Sequence, residues 1–169
     1  ITCLDCKLVQ LHHGIDISDL YGESYGYESA LNSSMVMHLQ EKATHLYHKY
    51  RPGSVLDIGC NDGSFLRSFP DDVTKARIDP SISPISEAGS KIDFVSGFFP
   101  DDYNNIGVKY NLISAISVFY DLPDPNAFTR GVVNLMSRDA VFHIELSYLP
   151  SMVNNNSFDT ICHEHLEYY

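Results

Sequence analysis

Val55-Leu56-Asp57-Ile58-Gly59-Cys60-Asn61-Asp62-Gly63-Ser64 reads as a buried strand, a tight turn and a helix start in immediate succession. The apolar Val55, Leu56 and Ile58 suit a strand covered on both faces, as in a parallel sheet. Asp57, inside that strand, needs a partner. Gly59 and Gly63 let backbone come close to a ligand, and Asn61 is able to take a left-handed conformation. Gly63-Ser64 opens a helix whose free N–H groups favour polar or anionic atoms. Such a strand-turn-helix suits a nucleotide-type site; the alternative is an ordinary turn with glycines present for packing.

Spacing decides which nucleotide. A dinucleotide fingerprint requires glycine at the first, third and sixth places of G-x-G-x-x-G, where this chain holds Gly59, Asn61 and Ser64. A phosphate loop requires a terminal G-K-S/T, which is absent. What remains resembles motif I of the class I S-adenosylmethionine-dependent methyltransferases, with Asn61 in place of the middle glycine of a G-x-G-x-G-like turn. That resemblance implies cofactor contacts from Asp57, Gly59, Cys60, Asn61 and Gly63. About twenty positions after Gly59, Ala76-Arg77-Ile78-Asp79-Pro80-Ser81 reads as a second strand ending in an acid. This is the separation at which a carboxylate meets ribose hydroxyls in doubly wound sheets. Asp79, followed by Pro80, is the candidate ribose ligand; a surface acid beginning a turn is the alternative.

A chain of 169 residues with 44% hydrophobic and 12% aromatic residues is enough for one domain with a sizeable core. No run is long enough to span a membrane, and Ile1-Thr2-Cys3 does not open a signal peptide, so a cytoplasmic location is the default expectation. With 11 basic against 22 acidic residues, the net charge of −11 gives no footprint for nucleic acid. An anionic substrate would need local basic or helix-terminal groups to hold it.

Cys3-Leu4-Asp5-Cys6 suits half of a tetrahedral zinc-thiolate site. Cys60 and Cys162 are not obvious second halves. A first residue other than Met favours loss of upstream ligands over a two-cysteine redox motif. Leu8 to Leu11 reads as a short strand and Ile15 to Asp19 as a turn. The stretch from Tyr21 to Ser29 is too rich in Gly and Tyr for a regular element, and reads as a lid or a packed linker. From Leu31 to Tyr50 apolar residues recur at helical spacing, with Asn32 or Ser33 as caps and Arg51-Pro52-Gly53 as the stop.

Alternation of strand and helix then continues. Helices are predicted over Ser64 to Phe69, over Ser83 to Ser90 and from Asp124-Pro125, the last with Phe128, Val132, Leu135 and Met136 on one face. Strands are predicted over Ile92 to Val95, Tyr110 to Val118 and Ala140 to Leu146. This pattern implies an α/β, Rossmann-like, doubly wound parallel sheet of order 3-2-1-4-5, with ligands at the carboxyl ends near the switch point. Phe98 and Phe119, after the third and fourth strands, either touch an adenine or methionyl arm or form the rim of the core.

Phe158-Asp159-Thr160-Ile161-Cys162-His163-Glu164-His165-Leu166 closes the chain together with Glu167-Tyr168-Tyr169. Read with the Cys3-x-x-Cys6 run, Tyr25-x-Tyr27-x-Ser29 and motif I, it resembles the sugar C-methyltransferases, which methylate nucleotide-linked 4-keto-deoxysugars. The resemblance runs over nearly the whole chain. It implies an N-terminal zinc module held by four cysteines, a central methyltransferase fold and a C-terminal domain that helps bind the nucleotide-sugar. By that pattern residues 1–20 are the remnant of the zinc module, 21–50 a tyrosine-rich lid and long helix, 51–157 the cofactor-binding core, and 158–169 the start of the catalytic segment and C-terminal domain. The chain is then a piece truncated at both ends, a monomer or weak dimer.

His165 matches the family's catalytic histidine, and an imidazole with an unperturbed pKa of about 6.5 suits a base at neutral pH. Glu164 would bind substrate or orient that ring. Cys162 stands where some relatives carry a tyrosine, so Tyr25 or Tyr27 would steady the enolate oxygen from the lid, with Tyr27 and Ser29 near S-adenosylmethionine. Two other readings exist for the run. His163 and His165 with Glu164 could ligate a metal, although no third ligand is evident from spacing and a helix would point the histidines apart. A capped surface helix beginning at Asp159, with solvated histidines, is the other.

Overall fold

The computed structural model describes residues 1–21, 25–81, 92–104 and 107–169. In chain order the elements are β1 (Val9–Gln10), α1 (Ile17–Leu20), α2 (Ser33–Tyr50), β2 (Ser54–Ile58), α3 (Ser64–Arg67), β3 (Thr74–Asp79) and β4 (Ile92–Ser96). They continue with β5 (Tyr110–Ile116), α4 (Pro125–Leu135), β6 (Met136–Glu145), α5 (Leu149–Asn154) and β7 (Glu167–Tyr168). Five strands pair in parallel in the order β4-β3-β2-β5-β6. Counted along the core, that is the 3-2-1-4-5 sheet expected from the alternation of strands and helices.

Strand periodicity sends successive residues to opposite faces, and each face has its own core. Leu56, Ile58, Ala76, Ile78, Ile113 and Ala115 pack with Phe128 and Val132 of α4. Val55 and Leu112 pack with Leu39, Ala43 and Leu46 of α2 and with Phe65 and Leu66 of α3. Both faces of the central strands are therefore covered, which explains why β2 reads as a continuous apolar run broken only by Asp57. Asn32 caps α2, its side-chain oxygen accepting from the Ser34 and Met35 N–H groups at 3.1 and 3.4 Å. Asp124 caps α4 by accepting from the Ala127 N–H at 2.8 Å, with Pro125 in the first turn.

Several elements differ from the sequence reading. The predicted turn near Ile15 contains the single-turn α1, capped by Asp16, which accepts from the Ser18 N–H at 3.0 Å. The helix after motif I stops at Arg67 because Pro70 disfavours helical backbone just before it. The last core strand begins at Met136, directly from the end of α4, so Met136 is not a helical residue. No helix begins at Asp159: the chain bends through residues 162–164 and enters β7, which pairs antiparallel with β1 in the register Val9 to Tyr168 and Gln10 to Glu167. The helix expected over Ser83 to Ser90 lies outside the described residues. Among the described residues no helix is long and apolar enough to cross a membrane.

Candidate functional site

A cavity of about 360 Å³ opens at the carboxyl ends of the central strands. The turn after β2 contributes Gly59, Cys60 and Asn61, the end of β3 contributes Asp79 with Pro80 just after it, and the segment after β4 contributes Phe98. Ser117, Val118 and Asp121 follow β5 along its wall, and Tyr21, Tyr25, Tyr27 and Ser29 cover it from the tyrosine-rich stretch. Strand order reverses between β3 and β5 on either side of β2, so the cavity sits at the switch point, where open α/β sheets hold ligands.

The turn is built by residues that tolerate positive φ. Gly59 has φ +70°, and a Cβ there would lie 2.3 Å from Val118 Cγ2, so no side chain fits. Asn61 has φ +50°, the left-handed conformation expected of it. Its side chain does more than tolerate the turn: its oxygen accepts from the Ser29 N–H at 2.9 Å and its amide donates to the Tyr27 carbonyl at 2.8 Å. Asp62, fully buried, accepts from the Ala30 N–H at 2.5 Å and the Ser64 N–H at 2.8 Å. Asn61 and Asp62 thus clasp the tyrosine-rich stretch onto the turn, a use that a glycine at position 61 could not serve.

Gly63, at φ +78°, does not line the cavity. Its N–H donates to the Cys60 carbonyl at 2.9 Å while that of Ser64 goes to Asp62, so both donors at this helix start are used internally.

Asp79, 6% exposed, accepts from the Asn61 N–H at 2.7 Å through one oxygen and from the Ser81 N–H and hydroxyl through the other. The acid is oriented by the turn it serves. Asp57 finds the partner its burial demands in Ser114 of the adjacent strand, whose hydroxyl donates to it at 2.6 Å. Burial pushes Asp57 up to about 7, with the Ser114 bond acting against the rise and the Asp79 charge adding to it. Burial likewise pushes the Cys60 thiol well up.

Asp121 went unnoticed in the sequence. It is 8% exposed, accepts from the Tyr21 hydroxyl at 3.1 Å through Oδ2, and its Oδ1 has no hydrogen-bond partner. Burial pushes it up to about 8; the Tyr21 bond opposes this, and the charges of Glu164 and Glu167 add to it. Tyr25 is pushed up to about 12, by burial first and then by Glu164 and Asp121. An acidic residue soon after the fourth core strand was the available signal for Asp121.

Of the other expected site residues, Phe119, Glu164 and His165 do not line the cavity. The Phe119 ring packs on Phe128 at 5.9 Å and Tyr169 at 5.4 Å, as part of the core rim. The His165 ring lies 4.0 Å from that of Tyr120, the neighbour of Asp121, and Leu166 N–H donates to the Tyr120 carbonyl at 2.7 Å. The catalytic-segment candidate therefore docks against the cavity's Asp121 wall. His165 Nδ1 is 2.6 Å from the Thr160 carbonyl, an acceptor only, so in the neutral ring Nδ1 carries the proton and Nε2 the lone pair.

At the other end of the chain, Cys3 and Cys6 form a knuckle. The backbone N–H groups of Cys6 and Asp5 and the Cys6 side chain hold the Cys3 thiol below its ordinary range. That geometry fits half of a zinc-thiolate set. Among the described residues, the one cluster of three potential metal ligands lies elsewhere, at Cys162, Glu164 and His165.

A family model described as a methyltransferase domain matches residues 35–169. C-methyltransferase NovU from Streptomyces niveus is 26% identical over 178 residues, which span 100% of this chain and 42% of NovU. The chain therefore spans less than half of that relative's length. Among solved structures, the plantazolicin methyltransferase BamL, in complex with a triazolic desmethylPZN analog and SAH, superposes with a TM-score of 0.61 at 21% identity, over 78% of this chain and 54% of that one. An S-adenosylmethionine-dependent methyltransferase from Clostridium acetobutylicum gives 0.57 at 14%, over 71% and 54%. At those identities the likeness shows the fold, which is Rossmann-like with the cavity at its switch point. Because the family model spans well over half of the sequence, from within α2 through β7, this chain belongs to the methyltransferase-domain family.

Proposed function

We propose that the chain is the cofactor-binding part of an S-adenosylmethionine-dependent C-methyltransferase that acts on a carbon next to the ketone of a nucleotide-linked 4-keto-deoxysugar. The observation that carries this reading is the convergence of the Gly59–Asn61 turn and Asp79 on one cavity at the switch point of the sheet. Of the about four acceptor sites of its carboxylate, Asp79 keeps one on Oδ2 for a ribose hydroxyl, and Pro80, Phe98, Tyr27 and Ser29 of the cavity wall would flank the adenosyl group. When bound there, S-adenosylmethionine supplies an electrophilic methyl group.

His165 Nε2 would remove the proton from the carbon next to the ketone, giving an enolate whose carbon would accept the methyl group as the sulfonium carbon–sulfur bond breaks. Glu164 binds the sugar or steadies the imidazole. Charge developing on the ketone oxygen needs a hydrogen-bond donor: Tyr25 is one candidate, and Asp121, held in its protonated form by burial, is a second. Cys3 and Cys6 would hold one half of a structural zinc. The name of NovU favours carbon as acceptor and supports this reading over an O- or N-methyltransferase.

Calorimetry with S-adenosylmethionine and S-adenosylhomocysteine tests the first half; Asp79→Ala is expected to weaken binding at least about tenfold. Transfer of labelled methyl to a 4-keto nucleotide-sugar tests the second, with His165→Asn expected to lose about 10²–10⁴-fold in rate. Label on a heteroatom, with His165→Asn still active, would establish the O- or N-methyl reading instead. Cofactor binding without any transfer would leave a binding module.

A further inference from the structure

The bend at residues 162–164 gathers three donor side chains on one side of the chain. Cys162, Glu164 and His165 each offer one ligand atom, and these atoms all lie within 4.8 Å of one another. His163, the other histidine of the run, is exposed and stands outside the group. A thiol, a carboxylate and an imidazole form the donor set of a borderline-soft cation of the zinc type; calcium and magnesium would demand oxygen ligands throughout. Ligand atoms of a tetrahedral zinc site, with bonds of about 2.0–2.3 Å, stand roughly 3.5 Å apart, so side-chain torsions need to close the group by only about an ångström.

Two further features suit the group to a cation. The Thr160 carbonyl lies 2.6 Å from His165 Nδ1, so in the neutral ring Nδ1 carries the proton and Nε2 is the nitrogen available to a cation; a backbone carbonyl on the far nitrogen is the usual outer support of a metal-bound histidine. The bend is also pinned on both sides, by Ile161 N–H to the Phe158 carbonyl at 3.1 Å and by Leu166 N–H to the Tyr120 carbonyl at 2.7 Å. The donors come from a fixed segment of chain.

We propose that Cys162, Glu164 and His165 form a three-ligand site for a thiophilic divalent cation of the zinc class, with the fourth position left to water or a substrate oxygen. Binding forms a metal–sulfur bond, and the Cys162 thiol proton leaves to solvent. A second consequence rests on the reading of His165 as the base: a cation on Nε2 occupies the lone pair that would accept the substrate proton, so the loaded form is silent in methyl transfer.

Cobalt(II), with a reductant that does not bind metal, is the probe, because a thiolate-ligated tetrahedral ion absorbs in the near ultraviolet and visible. Cys3 and Cys6 are removed first, as Cys3→Ser/Cys6→Ser, so that the N-terminal thiols do not report. The expected result is a saturable sulfur-to-cobalt band of one equivalent in that background, displaced by zinc and lost on adding Cys162→Ala or Cys162→Ser. His165→Asn is expected to weaken cobalt binding at least tenfold. Circular dichroism identifies a variant that has lost its fold, and zinc-induced movement of the His165 ¹⁵N resonances in the intact protein then decides without any substitution.

No band in the Cys3→Ser/Cys6→Ser protein, or a band that survives removal of Cys162, overturns the site. Zinc added to the protein with Cys3 and Cys6 intact should suppress methyl transfer more than tenfold, and should lose that hold when Cys162 is replaced by Ala. Protein that binds cobalt through Cys162 but transfers no methyl with or without metal sinks the base reading and leaves the site standing.

Discussion

Tyr21 donates its hydroxyl hydrogen to Asp121 Oδ2 at 3.1 Å, joining the tyrosine-rich stretch to the wall of the cavity across most of the sequence. This bond acts to lower the proton affinity of a carboxyl that burial has pushed up to about 8. Tyr21→Phe should therefore raise the Asp121 pKa further, read by carbon-detected NMR titration. It should also cost about 1–3 kcal/mol in urea denaturation, since a buried acceptor is left unpaired. An Asp121 titration identical in the two proteins would show that the bond does not persist in solution.

Stability should fall as pH rises from about 4 toward 8. Asp57 and Glu167 at about 7 and Asp121 at about 8 all hold their protons more tightly folded than unfolded, where carboxyls titrate near about 4. Their contribution is complete below the unfolded value and is lost as pH passes through the folded ones. His143, lowered by burial, contributes with the opposite sign, so the informative comparison is with Asp57→Asn, in which His143 is unchanged. The asparagine oxygen still accepts from Ser114, and the fall in denaturation midpoint between pH 5 and pH 8 should be shallower. Equal falls in both proteins would remove Asp57 as a source.

Two glycines of the turn should respond differently to alanine. Gly59→Ala meets both a positive φ and Val118 Cγ2 at 2.3 Å, so strain of about 1–2 kcal/mol adds to overpacking of about 1–3 kcal/mol. Gly63→Ala meets nothing closer than 3.5 Å and should lose only the backbone part, about 1 kcal/mol. Adding Val118→Ala should recover much of the first loss and none of the second. A double-variant cycle without that coupling would place the Gly59 turn away from Val118.

Asn61→Gly restores the glycine that motif I otherwise carries, yet it removes the clasp on Tyr27 and Ser29. Positive φ is kept, so the turn should persist. The Ser29 amide should exchange with solvent at least about tenfold faster, and S-adenosylmethionine should bind more weakly. Unchanged exchange would mean that Asp62, through Ala30, holds the stretch alone.

The sheet order was legible because apolar runs at Val55 to Ile58, Ala76 to Ile78 and Leu112 to Ala115 alternate with helical spacing, and handed crossovers leave few ways to assemble them. The turn was legible for the same local reason: Gly59 and Asn61 occupy conformations that few other residues accept. What stayed hidden depends on contacts between distant segments. Nothing in a two-residue strand such as Val9–Gln10 announces its partner at Glu167–Tyr168. The metal reading of the run paired His163 with His165 and found no third ligand, whereas the bend leaves His163 outside and groups Cys162 with Glu164 and His165. Asp62 and Asp121 look like surface acids in one dimension and are buried in three.

The ladder between Val9–Gln10 and Glu167–Tyr168 has a mechanical consequence. Ile1 folds back beside Gln10, its ammonium donating to the Gln10 carbonyl at 2.7 Å and its own carbonyl accepting from the Gln10 N–H at 2.9 Å, so tension applied at Ile1 and Tyr169 pulls the two flanks of β1 in opposite directions and shears the rungs instead of peeling them. Under such a pull several rungs bear the load at once, and the two ends of the chain hold each other in place.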